Sequence, residues 1–458
     1  MLVRRMKRTR LPPGVQGALF FAVVLAAIRL ATLVTGTDFS LRGDFFATLP
    51  GAYVESLNPR LWNAEDLRLA WGFHRPFYYY GPTQYLTLYP MALLDSYKQI
   101  AVGLSLVYAA VLAAAIYVLW RLANEVGHAR PWGVFILAIA FAPLLQAYFH
   151  FEFEIVVFFV IVAATWLLVR RRDAWAGALL GYIAWFKIWP LIFVGYFVLR
   201  RQWKAAGAFV LASVLTLGIS QVLFGLDRFL ILNPALARSI PGRVFFAATL
   251  LAPLEVGFDS KLGPENATGD GFCKGWVRSD ETYVSARWGV CGLIFRYQWR
   301  NAVLVFYATQ LLLGALFLIG FAAAETRADL DPTGRACRIV CEISLLIIGA
   351  ALMLIAHFYY FLFLLIPTCV LAYRFIARSE WIKLGWLAVA YGVLGGLILP
   401  ALLVSRLLGQ SFWAFYSGRS VYLVGLSMLT ALIMWEYLSL GFTRGPSATR
   451  IPAASGEI

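Results

Sequence analysis

Asp44, Glu152, Glu154 and His357 are the residues of this chain whose types could do acid–base and phosphate chemistry. A carboxylate can take the proton of an attacking hydroxyl, and an imidazole can steady a departing phosphate. Asp44 closes the polar run Arg42-Gly43-Asp44, directly after the first long apolar segment. Glu152 and Glu154 belong to His150-Phe151-Glu152-Phe153-Glu154, wedged between two apolar runs, and His357 stands between two more. Arg75, Lys187, Arg406 and Arg419 add cations that hold a phosphate through charge-assisted bonds, and Tyr80 adds a phenol. Each has a plainer reading beside the chemical one. Asp44 equally caps a helix or turn, the glutamates equally form a water-exposed polar turn, and His357 equally serves as a hydrogen-bonded structural histidine. Lys187 equally snorkels to an interface, and the aromatic run around Tyr79 equally anchors the chain at headgroup depth.

The elements that must position these residues are apolar spans. The chain of 458 residues is 61% hydrophobic and 14% charged, against about a quarter charged in soluble domains, so it reads as a polytopic membrane protein. Its net charge of +15 comes from short basic runs between spans, such as Arg170-Arg171-Arg172 and Arg200-Arg201. That is the signature of cytoplasmic loops rather than of a nucleic-acid partner.

The first span covers Val15 to Val34 and is expected to be retained, because no small-residue cleavage site follows it. Residues 1–14 and 443–458 read as cytoplasmic tails, and 15–442 as one transmembrane domain. Residues 35–99 form a first external loop, with amphipathic pieces Phe45–Leu57 and Tyr85–Leu94 expected at the interface with their aromatic faces in lipid. Residues 225–300 form a second long external segment. Further spans are expected at Ile100–Leu122, Trp132–Tyr148, Ile155–Val169, Ala206–Phe224, Ala302–Ala323, Ile339–Ala356, Phe358–Tyr373, Leu384–Val404 and Val421–Leu440. Trp175–Leu199 has basic runs at both ends and Lys187-Ile188-Trp189-Pro190 at its centre, so it reads as a hairpin of two short helices. A straight span there would invert everything downstream. The fold class is all-α with about twelve transmembrane helices, both termini inside, and Asp44, Glu152, Glu154 and His357 on one outer face.

No Gly-rich phosphate loop, HExxH helix or GxSxG elbow is present, which disfavours soluble nucleotide and hydrolase chemistry. No Cys/His spacing resembles a structural zinc site. Cys273 and Cys291 share an external segment and are open to either a disulfide or two free thiols. The runner-up functions are a transporter or flippase of a lipid-linked sugar, which would suit the broken hairpin, and an O-antigen-ligase-like polymerase.

The layout resembles the C superfamily of membrane glycosyltransferases, and more narrowly glycosyltransferase family 87, the polyprenyl-phosphomannose-dependent α-mannosyltransferases. Gly43-Asp44-Phe45 occupies the place of that family's catalytic aspartate. Tyr80-Gly81-Pro82-Thr83 with Tyr89-Pro90 is similar to its Tyr-x-Pro segment, Lys187-Ile188-Trp189-Pro190 to its Lys-x-x-Pro element, and Ala356-His357-Phe358-Tyr359 to its external histidine segment. The Gly-Gln-x-Asn element is replaced by Glu152-Phe153-Glu154, and Asp44 lacks a second Asp two residues away. The resemblance implies an inverting transfer of a sugar, mannose favoured, from a polyprenyl-phosphate donor to a lipid or glycan acceptor. Asp44 would be the base and His357 would face the donor phosphate. No metal or other cofactor is expected, and the expected location is a bacterial inner membrane with the site outside.

Overall fold

The computed structural model describes residues 11–34, 81–90, 97–149, 151–186, 189–229, 232, 302–325, 331–352, 358–396 and 421–442. Asp44, Arg75, Tyr80, Lys187, His357, Arg406 and Arg419 lie outside the described residues, as do Cys273, Cys291 and the interfacial piece Phe45–Leu57.

Within hydrocarbon a backbone must satisfy its own polar groups, and a helix does so within one segment. The chain accordingly builds α1 (Pro13–Val34), α2 (Pro82–Leu88), α3 (Tyr97–Gly127), α4 (Pro131–Ile139), α5 (Ala142–Phe149), α6 (Glu154–Val169) and α7 (Asp173–Tyr182). There follow α8 (Ile192–Leu199), α9 (Trp203–Phe224), α10 (Ala302–Glu325), α11 (Pro332–Ile347), α12 (Leu365–Ala377), α13 (Trp381–Tyr391) and α14 (Val421–Phe442). Among the described residues, 5 helices are long and apolar enough to cross a membrane, or up to 6 if α4 and α5 form one broken span. Shorter apolar helices, including Glu154–Val169 and Trp189–Leu199, complete the bundle.

Two expected elements change shape. The run Trp132–Tyr148 is not straight: α4 and α5 meet at an angle of 65°. Pro143 lacks the N–H that would continue the ladder, so the helix stops at Ile139 and restarts. The expected span from Ile339 begins earlier, at Pro332, because Asp331 accepts from the Gly334 N–H at 2.8 Å and Pro332 suits the first helical position. The Asp331-Pro332-Thr333-Gly334 stretch is therefore a helix start.

The hairpin read from the sequence is present. A Cβ added at Gly177 would overlap the Ala205 carbonyl, and one at Gly181 the Phe209 carbonyl. Trp185 Nε1 donates to the Ser213 carbonyl at 3.1 Å, again 28 residues along. The constant offset makes α7 and α9 parallel neighbours at backbone contact distance. Residues 183–202 must then return the chain to its starting end, through the 3-10 turns Ile183–Trp185 and Trp189–Leu191 and then α8.

Ion pairs gather at the end of the bundle where the basic turns lie. Arg170 pairs with Glu125 across α6 and α3. Glu342 in α11 is fully buried and accepts from Arg200 Nε at 3.0 Å, Arg338 Nε at 2.9 Å, Tyr196 at 3.0 Å and Tyr437 at 3.3 Å. Buried Glu436 pairs with Arg374 and, at 3.4 Å, with Arg378. Pairing of this kind offsets part of the cost of bringing charge into an apolar bundle. They tie α8, α11, α12 and α14 together at this end.

Candidate functional site

The acidic turn Phe151–Glu154 lies at the opposite end of the bundle. The acidic turn forms where α5 ends: Phe151 N–H donates to the Tyr148 carbonyl at 3.3 Å, and Glu152 N–H to the Ala147 carbonyl at 2.9 Å. This is the Schellman closure, whose left-handed position is normally glycine. Here it is Phe151, at φ 55°. A side chain in that region costs about 1–2 kcal/mol, so its surroundings must hold it. They do. The Arg29 guanidinium of α1 sits 4.3 Å over the Phe151 ring, and the Tyr108 ring of α3 meets Phe151 edge-on at 6.4 Å. Arg29 also lies 5.9 Å from the Phe149 ring.

Glu152 and Glu154 are 4% and 1% exposed. The water-exposed polar turn is thus not what the chain builds. Glu154 opens the first turn of α6, where a carboxylate complements the positive end of the helix dipole. Arg29 is itself only 2% exposed, so one guanidinium and two carboxylates are buried in the same neighbourhood. Intramembrane ionisable groups carry a large desolvation cost and are retained where they act. Sequence reading missed Arg29. Its signal was available: a single arginine inside the otherwise apolar run from Val15 to Val34.

Around this turn, segments far apart in the chain converge. Phe153 packs on Phe186 of the hairpin tip, ring centroids 4.9 Å apart. The Phe186 carbonyl accepts the Gly81 N–H at 3.1 Å, and a Cβ on Gly81 would overlap the Trp185 carbonyl. Thr83 Oγ1 donates to the Tyr182 carbonyl at 2.7 Å, which fastens α2 to the hairpin. On the far side of the tip, Trp189 meets Phe363 at 5.8 Å, and Phe363 lies in the 3-10 segment Phe358–Leu364.

Gly81, Phe186, Trp189 and Phe363 therefore gather at one tip, beside the acidic turn through Phe153. Of the expected site residues only these two glutamates are described. One expectation is corrected here: Tyr85 does not lie in lipid. It is 1% exposed and packs on Phe229 at 5.5 Å and Phe224 at 6.3 Å, because α2 inserts against α9.

The arrangement offers a buried acidic turn, a buried guanidinium and an aromatic hairpin tip at the end of a helical membrane bundle. No curated protein and no solved structure matches the chain. The profile of glycosyltransferase family 87 matches residues 78–349, a stretch that takes in α2, the acidic turn, the hairpin and Glu342. The chain belongs to glycosyltransferase family 87 and is a membrane glycosyltransferase.

Proposed function

We propose that this protein moves a sugar, with mannose favoured, from a polyprenyl-phosphate donor to a lipid or glycan acceptor on the extracytoplasmic side of a bacterial inner membrane. The observation that carries the reading is the family match over residues 78–349, which takes in α2, the acidic turn and the hairpin tip. The proposed topology has about twelve helical passes and both termini in the cytoplasm, in keeping with the basic turns gathered at one end.

In the proposed reaction Asp44 takes the proton of the acceptor hydroxyl as its oxygen attacks the anomeric carbon. The bond between that carbon and the phosphate oxygen breaks, and the polyprenyl phosphate leaves with the electron pair. One displacement inverts the anomeric centre. His357, Arg75, Lys187, Arg406 and Arg419 are the groups proposed to hold the phosphate as its charge grows, and Tyr80 a group beside the sugar. Glu152 and Glu154 would bond sugar hydroxyls. The sugar–phosphate bond supplies the driving force, and no metal is invoked.

Purified protein incubated with a panel of polyprenyl-phosphate sugars and membrane-lipid acceptors tests this by mass spectrometry of the products. Transfer from one donor, abolished in Asp44→Asn with folding intact, is expected. No transfer from any donor, together with movement of the lipid-linked sugar across proteoliposomes, would replace the enzyme reading with transport.

A further inference from the structure

Tyr108 sits on α3 at the level of the acidic turn and is 1% exposed. Its hydroxyl has no hydrogen-bond partner among the described residues. Tyr148, beside it, differs: its hydroxyl donates to the Ser105 carbonyl at 3.0 Å, one helical turn before Tyr108. Glu152 and Glu154 both act electrostatically on the Tyr108 hydroxyl, and its ring is held edge-on against Phe151, the residue preceding Glu152. A buried phenol left without a partner destabilises the fold, and phenylalanine would fill the same space without that cost. A hydroxyl retained there, on a ring packed against the acidic turn, fits a partner that arrives with the substrate.

We infer that Tyr108, together with Glu152 and Glu154, forms a subsite for a sugar hydroxyl, and that Tyr108 is a specificity-determining residue. A sugar hydroxyl both donates and accepts. It can receive the hydrogen of the phenol while giving its own to a carboxylate oxygen, so the Tyr108 hydroxyl gains the partner it lacks among the described residues. A phosphate or carboxylate ligand is disfavoured at this point, because the two carboxylates outnumber the single Arg29 guanidinium beside them. The inference rests on the glycosyl-transfer reading. Donor and acceptor sugars present the same hydroxyl chemistry, so either can be the occupant.

The test is Tyr108→Phe, assayed with the donor and acceptor pair that the wild type turns over, alongside thermal melting in detergent. The subsite predicts unchanged or higher melting with kcat/KM lower by about tenfold or more, the size of a lost hydrogen bond that discriminates substrates. A raised KM for the donor alone assigns the site to the donor sugar, and for the acceptor alone to the acceptor. With single-deoxy polyprenyl-phosphate sugars or deoxy acceptors, the difference between wild type and variant should vanish for the one deoxy position that removes the bonded hydroxyl. Unchanged kcat/KM overturns the inference, and so does lower melting accompanied by a loss that no deoxy substrate cancels. If the wild type transfers no sugar at all, the glycosyl-transfer reading fails and takes this one with it. That result cannot be confused with normal turnover by both proteins.

Discussion

Replacing Gly81 with alanine probes how tightly the segment before α2 is pressed onto the hairpin tip. The added methyl group would overlap the Trp185 carbonyl oxygen, which belongs to backbone and cannot swing aside as a long side chain would. Either α2 or the tip has to move. Inserting a methyl into a filled space of this kind costs about 1–3 kcal/mol. Displacement also strains the 3.1 Å bond from Gly81 N–H to the Phe186 carbonyl, worth about 1 kcal/mol. The sum, about 2–4 kcal/mol, is expected as a clear fall in melting temperature of the purified protein.

Phe186 packs on Phe153, so the displacement reaches the acidic turn. A misplacement of about 1 Å in a catalytic constellation lowers turnover on the order of a hundredfold. The assay is sugar transfer measured below the melting temperature of the variant, so that unfolding does not masquerade as lost chemistry. Gly218→Ala is the control, since a Cβ there meets nothing within 4 Å. Wild-type melting and wild-type turnover in Gly81→Ala would refute the claimed convergence on the tip.

Other expectations follow from the buried charges and the left-handed turns. Arg29→Met removes the guanidinium over Phe151 and should cost about 3–5 kcal/mol, with Arg29→Lys keeping most of the stability; equal melting of the two variants would contradict a charge role. Glu342→Ala should destabilise by a similar amount of about 3–5 kcal/mol, because Arg200 and Arg338 lose their shared acceptor, and chemical denaturation in detergent would measure it. Ser379 is exposed at φ 56°, so Ser379→Gly should stabilise by about 1 kcal/mol. Phe151→Gly relieves the same kind of strain yet should lower stability, since it also empties a buried aromatic site worth about 3–5 kcal/mol. Finding both glycine variants stabilised would show that Phe151 is not clamped by its neighbours.

The hairpin was legible because charge and breaker signals agreed: arginines at both ends, and Lys187 and Pro190 at the centre. The acidic turn was legible as a short polar run between apolar ones. The 65° break before Pro143 carried a signal too, but one proline inside a long apolar run was outweighed by hydropathy. Nothing local in the chain tells that Gly81 meets Phe186, or that Arg29 lies over Phe151. Those contacts join segments 105 and more residues apart through shape rather than periodicity. Tyr85 was misplaced for a related reason, because an amphipathic segment faces lipid or protein by the same pattern.

The closures at the ion-paired end have a consequence for how the scaffold can vary. After α6, α8 and α12 the chain reverses within a few residues, at Arg171, Arg201 and Ser379, each in the left-handed region. Residues 35–80, 233–301 and 397–420 all attach at the other end. Length changes at Arg171, Arg201 or Ser379 would pull a helix out of register with its neighbours. The ion-paired end therefore leaves little room for a change in chain length, since each closure is set by one left-handed residue between two packed helices.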